Sequence, residues 1–138
     1  VVPTGLNPEW LPEDTATRVH VTDSGSTLEP GALSVHELDA VDAVVTSSTV
    51  SCAETGTIFL NSAPQEGRRA ISLVPDHHVC VVPESTIVEL VPEAIERITY
   101  ERPVTMISGP SATSDIELIR VEGVHGPRIL DVVILEGK

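Results

Sequence analysis

Apolar residues along this chain come in short, β-branched runs, each cut by glycine, proline or a cluster of hydroxyl and acidic residues, and that rhythm predicts strands alternating with short helices. Residues 1–14 carry three prolines and read as an extended lead-in, 18–22 as a short alternating strand, and 24–31 as a loop. Ser34-Val35-His36-Glu37 has capping-box spacing and predicts a short helix to about Asp39. Residues 41–50 are apolar and β-branched and predict one central strand, which Ala53-Glu54-Thr55-Gly56 turns into another over 57–60. The polar stretch 61–69, with Pro64 and Gly67, predicts a loop, and 70–74 and 78–82 predict two strands parted by Pro75-Asp76. Within 85–98 the apolar residues Ile87, Val91, Ala94, Ile95 and Ile98 have helical spacing; because Pro92 belongs at a helix start, the helix is placed at 91–99. A strand over 104–108, a short helix from Thr113 or Ser114 to about Arg120, a loop over 123–127 and a last strand over 129–135 complete the order.

This alternation predicts an α/β fold, an open and largely parallel sheet with flanking helices, in one domain spanning residues 1–138. The composition agrees. Hydrophobic residues make up 41 % of the chain, yet Trp10, Phe59 and Tyr100 are its only aromatics, so the core must come from valine, isoleucine, leucine and alanine, which suit strands buried on both faces. The net charge of −13, from 21 acids against 8 bases, repels nucleic acid and anionic lipid. No apolar run approaches the roughly 20 residues of a membrane span and no signal-peptide pattern is present, so the expected location is the cytoplasm.

The richest segment is Gly109-Pro110-Ser111-Ala112-Thr113-Ser114-Asp115-Ile116-Glu117, where the strand over 104–108 runs into a glycine, a proline, three hydroxyls and then acids. Thr113 or Ser114 can cap the first turn of a helix, and Glu117, three positions after Ser114, completes a second capping-box pattern. Unused N–H groups at such an end attract phosphate or carboxylate. Two readings stand: the hydroxyls only cap the helix while Asp115 and Glu117 complement its dipole, or the turn binds a ligand that carries both an anionic and a cationic or hydroxylated end. Asp115 and Glu117 are two apart and therefore face different ways on a helix, a poor arrangement for a catalytic pair.

Other chemistry is sparse. Arg68, Arg69, Arg120 and Arg128 offer forks for carboxylate or phosphate, or else form surface ion pairs. Cys52 and Cys80 are far apart in sequence and lie in apolar runs, which reads as two reduced, buried thiols; an iron–sulfur cluster usually takes four thiolates, so none is expected in this chain. His77 and His78 are adjacent, face opposite ways on a strand, and cannot chelate one metal. No metal site is expected, and no G-x-G-x-x-G follows a strand, which disfavours a dinucleotide-binding dehydrogenase.

The runs Ala53-Glu54-Thr55-Gly56-Thr57-Ile58, Gly67-Arg68-Arg69-Ala70, Leu73-Val74-Pro75-Asp76, Gly109 to Glu117, and Glu122-Gly123-Val124-His125-Gly126-Pro127 together resemble the lactate-utilisation protein C family, the LUD domain, from about Pro3 to Val133. The resemblance implies an α/β fold similar to the ribose-5-phosphate isomerase, glucosamine-phosphate deaminase and CoA-transferase group. It also implies a role in oxidising L-lactate to pyruvate beside iron–sulfur partner proteins. Family members carry additional helical sequence at the N-terminus, so the chain is expected to represent the domain without that segment.

In open α/β sheets ligands settle beyond the carboxyl ends of strands, where Glu54, the serine-rich turn and the His125 loop are expected to converge. Glu54, if partly buried, is a candidate for proton transfer or covalent carboxylate chemistry, resembling the Glu-x-Gly setting of CoA-transferases; the alternative is that it fixes its own turn, with Thr55 and Gly56 beside it. His125, flanked by Gly123 and Gly126, either exchanges a proton with a ligand or locks its loop. Thr55, Gly56, Gly109, Ser111, Ala112, Thr113, Ser114, Asp115, Glu117, Gly123 and Gly126 form the candidate ligand- and anion-binding set. Three functions fit: a non-cluster subunit of an L-lactate utilisation system, an independent enzyme on a small phosphorylated or acyl-CoA substrate, or a non-catalytic scaffold for iron–sulfur partners. The cofactor is left open.

Overall fold

The computed structural model describes residues 1–16, 19–24, 30–114, 120–122 and 126–138. Strands β1 (Val2–Pro3) and β2 (Thr22–Asp23) pair in parallel at the N-terminus. Helix α1 (Val35–Asp39) starts at Ser34, whose side chain accepts from the Glu37 N–H while the Glu37 carboxylate accepts from the Ser34 N–H, which is the reciprocal cap read from the sequence.

The chain then builds two sheets in contact. Strands β3 (Val44–Ser47), β6 (His77–Pro83) and β11 (Ile129–Leu135) form a parallel sheet in the order β11-β6-β3. Strands β4 (Val50–Cys52), β5 (Thr57–Leu60), β7 (Ile87–Val88) and β8 (Thr105–Ile107) form a mixed sheet in the order β7-β4-β5-β8. The chain is thus α/β with a mixture of parallel and antiparallel ladders, the parallel ones including every pair of the β11-β6-β3 sheet.

Alternation along β5 explains how the layers stack. Ile58 and Leu60 pack against Cys80 and Val82 of β6, whereas Phe59, between them, points the other way into a cluster with Val50, Cys52, Val88, Ala94 and Ile98. The last two come from helix α3 (Val91–Glu96) and the turn that follows it. Phe59 is fully buried, and β5 is buried on both faces, as a β-branched and apolar run requires.

Two expectations are corrected here. Residues 41–50 are not one strand: the chain bends at Ser48 and Thr49 and passes from the parallel sheet to the mixed one. The bend is held by Glu66, a carboxylate only 1 % exposed that accepts from the Thr49 hydroxyl at 2.6 Å and from the N–H groups of Asn61 and Ala63 at 2.6 and 2.9 Å. Residues 70–74 are not a strand either. They belong to helix α2 (Arg69–Leu73), which buries Ile71 against Leu38 and Val44. A short apolar run has no period of its own, and tertiary burial decides it. Gly67 sets the helix direction with φ at +68°; a Cβ there would stand 2.4 Å from Ile71 Cδ1.

Candidate ligand-binding site

Beyond Ile107, the end of β8 runs into Ser108, Gly109, Pro110 and Ser111, and this turn forms one wall of a cavity of about 140 Å³. Gly109 takes φ of +89°, which a β-branched residue would resist. The Ser111 N–H donates to the Pro127 carbonyl at 2.8 Å, docking the turn onto the loop before β11 and placing Gly126 beside it. Ser72 and Leu73 of α2 and Leu130 of β11 close other sides.

His78 of β6 also lines this cavity. It is fully buried, its Nε2 lies 2.7 Å from the Thr46 hydroxyl, and its Nδ1 has no hydrogen-bond partner among the described residues. Burial first, and the neighbouring His77 second, lower its pKa to about 4. The ring is therefore neutral near pH 7, and it is a hydrogen-bonding group there rather than a carrier of protons. A buried polar atom left without a partner calls for one.

Glu54 sits elsewhere. It lies on the exposed turn of the β4–β5 hairpin, not partly buried as expected, and its N–H donates to the Glu89 carbonyl at 3.1 Å. Its neighbour Thr55 begins a chain of hydroxyls: Thr55 to Thr57 at 2.7 Å, and Thr57 to Ser108 at 2.7 Å. The hairpin and the serine-rich turn thus occupy the same end of the mixed sheet. They open on different spaces, because Gly56 lines a separate apolar cavity of about 380 Å³ with Val82 and Ile134. Glu54 follows the carboxyl end of β4, and the serine-rich turn follows that of β8. In the parallel sheet the His78 cavity lies toward the starts of β6 and β11.

The helix expected from Thr113 or Ser114 is replaced at its start by a strand. Ala112, Thr113 and Ser114 form β9 (Ala112–Ser114), antiparallel to β10 (Arg120–Glu122), with Ser114 opposite Arg120. The Ser111 N–H is used by the Pro127 carbonyl and residues 112–114 pair as a ribbon, so no helix starts at Thr113 or Ser114. Asp115, Glu117, Gly123 and His125 lie outside the described residues.

Several charged groups serve structure. Arg68 makes a forked pair with Asp23, whose side chain is fully buried, and Arg128 pairs with Asp76. His77 turns away from His78 and bonds Asp131 at 2.7 Å, the outward face that strand alternation requires. Cys52 and Cys80 are free and buried, and burial pushes the Cys80 thiol up to about 12. Among the described residues no three His, Cys, Asp or Glu side chains are grouped to hold a metal ion, and no helix is long and apolar enough to cross a membrane. The residue that sequence reasoning passed over is His78. Its signal was a histidine at the inward-facing position that leads into the apolar run Val79 to Val82.

Fold and cavity together define an α/β structure with a half-open site lined by α2, β6, β8, β11 and the loops that flank them. The LUD domain family model matches residues 9–135, and the chain belongs to that family. It is 48 % identical to a Lactate utilization protein C of Deinococcus radiodurans, over 98 % of this chain and 61 % of that protein. It is 32 % identical to a Lactate utilization protein C of Geobacillus thermodenitrificans, over 88 % of this chain and 51 % of the relative. The chain therefore spans between about half and three-fifths of the length of these two relatives. A crystal structure of a DUF162 family protein from Deinococcus radiodurans matches with a TM-score of 0.75 and 40 % identity, covering 96 % of this chain and 71 % of that one.

Proposed function

We propose that this domain is a ligand-binding, non-cluster part of an L-lactate utilisation system, and that its His78 cavity holds the small hydroxy or oxo acid on which such a system works. The observation that carries this reading is a cavity lined by Ser108, Ser111 and His78, the last of which has a buried Nδ1 with no partner among the described residues. Size supports it: a cavity near 150 Å³ accommodates benzene, a molecule of about six non-hydrogen atoms, and lactate and pyruvate have about as many. Chemistry supports it as well. Ile107, Leu73 and Leu130 offer a methyl group an apolar wall, while the hydroxyls and the imidazole provide hydrogen bonds to oxygen.

The two relatives carry the name of a lactate-utilisation protein, which favours this pathway for the domain. The chain has two cysteines where a cluster usually takes four thiolates, so the electron-carrying clusters are assigned to iron–sulfur partners, and the cytoplasm is the compartment that suits reduced thiols.

Thermal melts of the intact protein with L-lactate and with pyruvate test the reading. A saturable rise in midpoint, lost in Ser108→Ala/Ser111→Ala, is expected. An unchanged midpoint with both acids, or a rise that survives the double substitution, would overturn it.

A further inference from the structure

A second concave surface lies apart from the His78 cavity and differs from the rest of the molecule in charge. Three of the chain's eight basic residues, Arg68, Arg69 and Arg102, line one cleft of about 520 Å³, and none of the chain's 21 acids is among its lining residues. In a protein of net charge −13 this gathers basic side chains in one place, with the Arg68 charge balanced by the buried Asp23 and those of Arg69 and Arg102 in no ion pair among the described residues.

The cleft is also built. Ser62, on its wall, holds φ of +54°, a conformation unusual for a residue other than glycine. Glu66 fixes that loop from below through the N–H groups of Asn61 and Ala63. Arg102 is laid along the loop by a bond from its Nη1 to the Ser62 carbonyl at 3.0 Å. Arg68 is anchored by Asp23 through Nε and Nη2. Arg69 is exposed; its carbonyl accepts from the Ser72 hydroxyl at 3.1 Å, and its guanidinium forms no hydrogen bond or ion pair among the described residues. Two guanidinium groups are thus positioned and a third stands uncommitted beside them.

We propose that this cleft is a second ligand site, separate from the His78 cavity, which receives the phosphate group of a small phosphorylated molecule. A phosphate brings nearly two charges and three peripheral oxygens, which suit several planar donor forks better than the two oxygens and single charge of a carboxylate. The volume exceeds what one phosphate fills and lies within the range of small-molecule pockets, about 300 to 1,000 Å³. The remainder of the ligand occupies the space between Pro64 and Pro103.

The test uses inorganic phosphate as the probe, titrated into the intact protein at fixed ionic strength, with chloride in the matched control. A saturable rise in melting midpoint beyond the chloride control is expected. Arg69→Gln, which breaks no described contact, should leave the phosphate-free midpoint unchanged and weaken phosphate binding about tenfold or more. Arg69→Gln/Arg102→Gln should abolish it. Ser108→Ala/Ser111→Ala should leave it intact, which separates this site from the proposed hydroxy-acid cavity. A response equal to that of chloride, one retained in the double arginine variant, or one lost in the serine variant instead would overturn the proposal.

Discussion

The hydroxyls of Thr57 and Ser108 lie 2.7 Å apart, and Thr57 is also 2.7 Å from Thr55, so one buried threonine joins the tip of the β4–β5 hairpin to the wall of the His78 cavity. Thr57→Val keeps the shape and removes both bonds. It should lower stability by about 1 to 3 kcal/mol in urea unfolding, since each such bond contributes about 0.5 to 1.5. It should also weaken any lactate-induced midpoint shift, because Ser108 then loses the partner that orients it.

Protonation of His78 makes a specific contribution to acid sensitivity. Its folded-state pKa, about 4, lies below the ordinary 6.5, so the unfolded chain takes up a proton that the folded protein refuses. The stability involved is fully present above about pH 6.5 and is lost as pH falls toward 4, in total about 3 kcal/mol. His78→Gln should show a shallower decline than the wild type through that window in urea midpoints measured at each pH. Parallel declines would show that the ring is not the sensitive group.

Removing either member of the Asp23–Arg68 pair strands the other. Asp23 is fully buried and also accepts from the Leu33 N–H at 3.0 Å, and Arg68 additionally donates to the Leu33 carbonyl. Asp23→Ala and Arg68→Ala should each cost about 3 to 5 kcal/mol, and the double variant should cost clearly less than the sum. Denaturant unfolding of the four proteins gives the coupling directly.

Both thiols should be silent toward iodoacetamide in the folded protein. Cys80 is fully buried with its pKa raised to about 12, and Cys52 is 2 % exposed. Alkylation counted by mass spectrometry should reach both positions only when urea unfolds the chain.

What local chemistry decides was legible in the sequence. The Ser34–Glu37 cap and the bounds of β11 follow from neighbours a few positions apart. What distant contacts decide was not. Residues 70–74 and 41–50 took their final form from Ile71 meeting Leu38 and from Glu66 reaching Thr49. At the serine-rich turn, capping grammar gave way to pairing between β9 and β10, which hydroxyl spacing alone does not foretell. The role of His78 depends on a cavity assembled from α2, β8 and the loop before β11, which no single stretch of sequence displays.

Glu66 has a consequence for how the domain comes apart. Its carboxylate grips the point where the chain leaves one sheet for the other, together with the loop that leads into α2. Neither sheet can loosen at that crossing without leaving buried hydrogen-bonding groups unpaired, so the two are bound into one cooperative unit, and amide exchange in β3 and β4 should proceed through the same global opening rather than by separate fraying.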